Sequence, residues 1–166
     1  MFKIYRDNVK LGGHNNLVFE IFKSGFKQVV DTYFFAIDKK FNPNDESLRK
    51  ANLNIINLLE NWLIELDKGR KEIFLPFDFS DQYIGCIKVV IKEPNNLLCI
   101  SYGATTEYSA ISLKPSGYPE NFNLSENDFI EMDSNVLEIS HSDFITIIKS
   151  CIIEFKSESN NIEWLN

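Results

Sequence analysis

Side chains that commonly carry out catalysis are scarce in this sequence. Its 166 residues include two histidines, His14 and His141. His14 lies in a Leu-Gly-Gly-His-Asn-Asn run whose glycines lack the spacing of a phosphate-binding loop. His141 directly precedes a serine that is suited to begin a helix. The sequence therefore predicts no enzyme and no cofactor, and the alternative is a small enzyme in which His14 acts with nearby carboxylates.

Metal ligands are equally sparse. The cysteines stand at positions without zinc or redox spacing, Cys86, Cys99 and Cys151. Each has apolar neighbours, which predicts buried free thiols in a reducing compartment. Asp78, Asp81 and Asp128 offer oxygen ligands for a hard cation, but the run from Asp78 to Asp81 lacks the regular loop of an EF-hand. We therefore predict no metal site.

Negative charge is concentrated in the last third of the chain. The net charge is −7: residues 1–114 hold 15 Lys/Arg and 14 Asp/Glu, whereas residues 115–166 hold 2 Lys/Arg and 10 Asp/Glu. Such a surface disfavours nucleic acid, because phosphate contacts need basic side chains. It favours a basic partner, whose association an acidic surface accelerates by about 10- to 1,000-fold. Solubility alone is the other explanation of the same acidity.

Two segments place acids beside aromatic side chains, a combination typical of protein interfaces. One is the acidic, turn-rich stretch after Lys114. The other is residues 77–83, a connection between strands in which Phe77 and Phe79 are expected on one side and Asp78 on the opposite side. Residues 107–108 extend this second surface. The predicted partner-binding residues are Asp78, Asp81, Tyr83, Glu107, Tyr108, Glu120, Glu126, Asp128, Glu131 and Asp133.

The elements that must position these residues are mostly strands. Alternating or β-branched runs predict strands at residues 2–5, 17–22, 26–37, 72–77, 83–92, 97–103, 106–113, 129–132 and 136–139. Turn signals at Ser24-Gly25 and at residues 93–96 join four of these runs into two hairpins. Strands in hairpin order predict an antiparallel sheet.

Two segments have helical periodicity. Apolar residues spaced three or four apart predict a helix over about residues 45–67, with Asn52, Asn54 and Glu65 mostly on the side away from the core. Ser142 is the predicted cap of a second helix, over about residues 142–156, and the polar tail is expected to fray after residue 157. We therefore expect a single domain over residues 1–166, of α+β class, with a twisted antiparallel sheet of about 6–8 strands and two main helices.

A small, acidic α+β chain without an active-site motif resembles bacterial immunity proteins, particularly those of contact-dependent growth inhibition systems. The resemblance concerns the character of the whole chain, so it assigns no family residues to positions here. It implies a protein that binds and neutralises a cognate toxin, commonly an RNase or DNase with a basic cleft, by occluding that cleft. We expect a cytosolic protein that contacts no membrane, because the chain lacks a signal segment and any apolar run of about 18 residues. The net charge of −7 predicts no direct contact with nucleic acid. A general protein-binding adaptor is a further alternative.

Overall fold

The chain folds as α+β, with antiparallel strands in two sheets and two long helices, which confirms the predicted class. A computed structural model describes residues 2–7, 16–22, 25–31, 48–109 and 122–162. The first sheet has three strands in the order β1-β2-β3, namely β1 (Phe2–Asp7), β2 (Asn16–Ile21) and β3 (Phe26–Asp31). Gly25, in the predicted hairpin turn, has a φ of 72°, a conformation that glycine adopts without steric cost.

The second sheet has the order β4-β5-β6-β7 and contains β4 (Glu72–Phe79), β5 (Ile84–Lys92), β6 (Leu97–Thr105) and β7 (Ile130–Ser140). The strands predicted at 129–132 and 136–139 are parts of β7, which pairs with β6 in two blocks separated by register shifts near Tyr102. If the two blocks of β7 are counted as separate strands, the described residues form eight strands, three in the first sheet and five in the second. Residues 106–109 of the strand predicted at 106–113 are not in a strand, and residues 110–113 lie outside the described residues.

The two helices run antiparallel and pack on each other. Helix α1 spans Leu48–Asp67, and α2 spans His141–Ile162. Lys156 of α2 bonds to Glu60 of α1 at 2.8 Å, which joins the middle of α1 to the second half of α2. Helix α2 extends six residues beyond its predicted end at 156, and Glu158 in this extension bonds to Arg6 of β1 at 3.1 Å.

Helix α1 buries part of its polar side, contrary to the prediction from periodicity. Asn52 and Glu65 are 0% and 5% exposed, and Asn54 is 3% exposed. Asn52 is buried because α2 packs over it: its Nδ2 lies 3.5 Å from the Phe155 carbonyl oxygen. Glu65 is compensated by Lys68 and Arg70, which follow the end of the helix.

Aromatic rings join the sheets and helices into one core. Phe19 of β2 packs on Phe77 of β4 with ring centroids 5.9 Å apart, and Phe77 in turn packs on Trp62 of α1 at 6.2 Å. Trp62 is fully buried, and its Nε1 donates to the Pro76 carbonyl at 3.0 Å. All three cysteines are buried free thiols, as predicted. Within the described part of the chain, neither long helix is apolar enough to cross a membrane.

Candidate protein-binding site

Strand register brings three separate stretches of sequence to one end of the second sheet. Phe79 pairs with Ile84, Ile84 pairs with Thr105, and Ala104 pairs with Ile130. Neighbouring strands are about 4.8 Å apart, so the connections at these positions lie side by side. We call this surface the acidic end and define it by the described residues 78–84, 104–109 and 122–131.

The acidic end unites the two surfaces that sequence reasoning had proposed separately. Its three stretches hold six acids and no lysine or arginine, namely Asp78, Asp81, Glu107, Glu126, Asp128 and Glu131. Lys88, in β5, bonds to Glu72 at 2.8 Å and to Glu126 of the acidic end at 3.2 Å. Burial lowers the pKa of Lys88, but the hydrogen bonds and negative charges of these two glutamates outweigh it, and the net shift is upward.

Asp128 has a local structural role within the acidic end. Its carboxylate accepts hydrogen bonds from the Ser125 hydroxyl at 2.6 Å and from the Ser125 backbone N–H at 3.1 Å, which closes the short 3-10 turn Glu126–Asp128. These two hydrogen bonds lower the pKa of Asp128. Asp128 therefore helps to hold the conformation of its own loop.

Tyr108 ties the segment after β6 to the segment before β7. Its hydroxyl donates to the Asn123 carbonyl at 3.1 Å, and its ring packs on Phe122 with centroids 5.3 Å apart. Glu107 lies beside it with an exposed side chain, and the Glu107 backbone N–H donates to Thr105 Oγ1 at 3.2 Å. This arrangement holds one exposed acid next to a half-buried aromatic pair.

The first residues of β7 add apolar surface that sequence reasoning did not include. Ile130 and Met132 are 62% and 65% exposed, and Glu131 between them is also exposed. Exposed apolar side chains next to acids are typical of interaction sites. Of the remaining predicted residues, Asp133 lies in β7 opposite Tyr102 with a side chain outside the described residues, and Glu120 lies wholly outside them.

Asp78, one of the predicted partner-binding residues, is buried. Its exposure is 8%, and Phe77 and Phe79 are also buried. A register shift between Pro76 and Asp78 interrupts the simple alternation of sides along β4. The neighbouring Tyr83 hydroxyl donates to Asp78 Oδ2 at 3.0 Å.

Two tyrosines and a cysteine close to Asp78 have raised pKa values. Burial, followed by the Asp78 charge and hydrogen bond, raises the pKa of Tyr83 to about 12. Burial and then the Asp78 charge also raise the pKa of Tyr102 and of Cys86 above their ordinary values. Tyr102 is 3% exposed, and its hydroxyl has no hydrogen-bond partner among the described residues. All three groups are therefore protonated at neutral pH.

A recess of about 260 Å³ opens beside Asp78. It lies between the second half of β3 and the β4–β5 connection. Its lining comprises Gln28, Val29, Val30, Asp78, Phe79, Ser80 and Tyr83. Asp78, Phe79 and Val30 are buried within it, whereas Val29 is 41% exposed at its rim. The recess thus gives solvent and ligands access to a carboxylate that is otherwise enclosed.

His141 lies in a different place, in a groove of about 560 Å³ between α1 and the start of α2. Asp67 and Ser142 line the same groove, but no hydrogen bond joins the His141 ring to either of these described residues. His14 falls outside the described residues. Over the described ranges, no group of three or more His, Cys, Asp or Glu side chains is placed to hold a metal ion.

The acidic end has the composition of a protein-binding surface. It combines exposed carboxylates, half-buried aromatic rings and the exposed side chains of Ile130 and Met132. Charge of one sign attracts a partner of the opposite sign, while apolar and aromatic groups supply affinity once the partner is in contact. Comparisons of the chain with protein-family models, curated proteins and solved structures find no match.

Proposed function

We propose that this protein is a cytosolic immunity protein that binds a cognate bacterial toxin through the acidic end and thereby neutralises it. The observation that carries the proposal is the convergence of six acids on one end of the second sheet, whose described residues 78–84, 104–109 and 122–131 include no lysine or arginine. The resemblance in size, charge and fold class to immunity proteins supports the same conclusion.

The proposed partner is a nuclease domain, because a cleft that holds RNA or DNA is basic. The acidic end would occupy this cleft as a substitute for the charge of the nucleic acid. Exposed acids such as Asp81, Glu107 and Glu131 mainly accelerate association, whereas the apolar pair Ile130 and Met132 and the nearby aromatic rings slow dissociation. The protein itself then needs no catalytic group.

The direct test is protection from a toxin encoded next to this protein. An immunity gene is expected directly downstream of a large toxin gene, so the toxin domain from that position is expressed in a sensitive host with and without this chain. We expect growth only when this chain is present, and a purified complex of the two proteins. Failure to protect would contradict the proposal, and binding without protection would indicate an adaptor instead.

Charge reversal tests whether the acidic end is the interface. In the double variant Asp81→Lys/Glu131→Lys, we expect the toxin affinity to fall by at least about tenfold and to depend less on salt concentration. Glu93→Lys is the matched control, because Glu93 is exposed in the β5–β6 turn at the opposite end of the same sheet. Calorimetric titration at low and moderate salt measures both effects. Equal affinities for the double variant and the original protein would exclude this surface.

A further inference from the structure

We propose that Lys88 is a positioning residue of the acidic end. Its charge has the wrong sign to attract a basic partner, yet it holds residues 125–129 in the conformation that the partner binds. The inference deepens the proposed function, and it rests on that function for the identity of the partner. The hold of Lys88 on this segment is a property of the chain alone and can be measured without any toxin.

The first argument is the place of the Lys88 ammonium between carboxylates of two separate segments. Its Nζ lies 2.8 Å from Glu72 Oε1, in β4, and 3.2 Å from Glu126 Oε1, in the 3-10 turn. The Lys88 side chain is 14% exposed, whereas that of Glu126 is 77% exposed. A mostly buried ammonium on a strand therefore ties an exposed turn to the sheet, and burial reduces the screening of this pair by solvent.

The second argument is the aromatic surroundings of the same ammonium. Lys88 Nζ lies 5.8 Å from the centroid of the Phe74 ring and 5.7 Å from that of the Phe129 ring, both within the range of cation–π attraction. The two rings are in contact, with centroids 5.3 Å apart. Phe74 pairs with Lys88 across β4 and β5, whereas Phe129 directly follows the turn. Lys88 thus contacts the first residue of the turn and the residue after its last.

The third argument is the close approach of Phe129 to the sheet. A Cβ at residue 103 would lie 2.4 Å from Phe129 Cζ, so glycine at this position of β6 makes room for the ring. Within the turn, the Asp128 carboxylate bonds to Ser125, which fixes the shape of the turn. These internal bonds do not fix the place of the turn on the sheet. Lys88 and the Phe129 ring supply that place.

Removal of the Lys88 charge distinguishes positioning from simple charge attraction. Lys88→Met keeps an apolar stem and makes the protein one charge more negative, so attraction alone predicts tighter binding of a basic toxin. Positioning predicts the reverse, because a segment that is no longer held must be ordered when the partner binds. We expect the toxin affinity to fall by at least about threefold, measured by calorimetric titration.

Lys92→Met is the matched control, because it makes the same change of charge in the same strand. Lys92 is 56% exposed, bonds to Glu138 at 3.0 Å and lies at the other end of β5, beside the β5–β6 turn. We expect the toxin affinity of this variant to stay the same or to rise. Equal falls in the two variants would overturn the inference. So would a Lys88→Met affinity that equals or exceeds that of the original protein.

Amide hydrogen exchange measures the hold on the turn in this chain alone. The backbone N–H of Asp128 donates to the Ser125 carbonyl at 3.1 Å, and that of Phe129 donates to the Glu126 carbonyl at 3.3 Å. In Lys88→Met, we expect both amides to exchange at least about threefold faster, because the turn opens more often when it is not tied to the sheet. In Lys92→Met, we expect no change at either amide.

A local effect must be separated from a loss of global stability. The amide of Val89, in the middle of β5, is expected to exchange at the original rate in Lys88→Met. Equal acceleration at Val89 and in the turn would show that Lys88 only stabilises the whole fold, and would overturn the inference. Lys88→Arg keeps the charge and the cation–π contact and is expected to restore slow exchange of the turn and the original toxin affinity.

Phe129→Leu preserves the test if Lys88→Met does not fold. It removes the ring and changes no charge, and it is expected to accelerate exchange in the turn by at least about threefold. Unchanged exchange in Phe129→Leu and in Lys88→Met would contradict the inference.

The two proposals fail in different ways. Faster exchange of the turn in Lys88→Met, in a protein that gives no protection from the toxin, would contradict the proposed function and support the hold of Lys88 on the turn. Protection by a protein in which Lys88→Met changes neither the exchange nor the affinity would contradict the positioning role and support the proposed function.

Discussion

At the scale of single residues, Asp78 and the phenols around it are the least ordinary feature of the molecule. The Tyr83 hydroxyl donates to the carboxylate, and burial together with the Asp78 charge raises the pKa of Tyr83 to about 12. An ionised Tyr83 next to the Asp78 carboxylate would be unfavourable, because two negative charges would then lie side by side. The folded state therefore keeps the Tyr83 proton to a higher pH than the unfolded state does.

This difference predicts how stability changes at high pH. The ordinary pKa of tyrosine is 10.0, and the folded value is higher, so the stabilisation is complete below about pH 10 and is lost as pH rises toward about 12. In Tyr83→Phe we expect a smaller loss of stability over this range than in the original protein. Urea unfolding followed by circular dichroism, between about pH 9 and pH 12, measures the difference.

The comparison of Tyr83→Phe with the original protein at neutral pH serves as the control, because it gives the cost of the lost hydrogen bond alone. That cost is about 1 kcal/mol. Identical alkaline losses in the two proteins would show that the proton on Tyr83 does not contribute to the pH dependence.

Two glycines show what residue-level reasoning can miss. A Cβ at residue 85 would collide with Tyr102, and a Cβ at residue 103 would collide with the Ile130 carbonyl oxygen and the Phe129 ring. Neither glycine lies in a turn, and both are within strands, where glycine often marks a close approach of other atoms. The atoms involved come from other parts of the chain and could not be named from the sequence.

At the scale of elements, the start of α2 shows how a correct helix can have an incorrectly predicted cap. Ser142 was the predicted cap, whereas the structure begins the helix at His141, and the Ser140 hydroxyl accepts the Asp143 backbone N–H at 3.1 Å. The two serines are both good caps by residue type. The last residue of β7 is Ser140, so the helix begins directly at the end of the strand.

The two serines allow a direct test of this assignment. Ser140→Ala is expected to lower the free energy of unfolding by about 1 kcal/mol, because one N–H of the first turn loses its acceptor. Ser142→Ala is the control and is expected to cost less, although the two hydroxyls lie 3.1 Å apart and loss of this contact has a small effect of its own. Urea unfolding measures both. A larger cost for Ser142→Ala would identify Ser142 as the cap after all.

The strands were predicted well where their apolar pattern was regular. The β2–β3 and β5–β6 hairpins follow from runs of β-branched and aromatic residues on either side of turn signals. The alternation failed at Asp78 and near Tyr102, where register shifts change which side of the strand a residue faces. Such shifts depend on the partner strand, and the strand's own residues therefore do not reveal them.

At the scale of the whole molecule, the structure shows where the negative charge lies on the fold. Residues 115–166 carry a net charge of −8, but the acidic end also draws Asp78, Asp81 and Glu107 from the nearly neutral first part of the chain. Other acids of the C-terminal third lie in helix α2 and not at the acidic end, for example Glu158, which bonds to Arg6. The acidic surface of the fold is therefore not the same set of residues as the acidic third of the sequence.

Repulsion among the negative charges of the acidic end should lower the stability of the folded protein at low salt concentration. We expect Glu131→Lys to raise the melting temperature by about 1–3 °C at low ionic strength, and by less as added salt screens the repulsion. Glu93→Lys, which places a lysine beside Lys92, should bring no such gain. Thermal unfolding at several salt concentrations decides this, and a rise that salt does not reduce would show that repulsion is not the cause.

The sequence by itself determined the α+β class, the antiparallel strands, the two helices and the burial of the three cysteines, because these depend on local periodicity and side-chain polarity. It also indicated which residues carry the acidic and aromatic character of a binding surface. Only the tertiary structure decided that residues around 80, 107 and 130 share one end of a sheet, and that Asp78 lines a recess together with Tyr83. The physical reason is that both outcomes depend on the register between strands distant in sequence, which the residues of one strand do not specify alone.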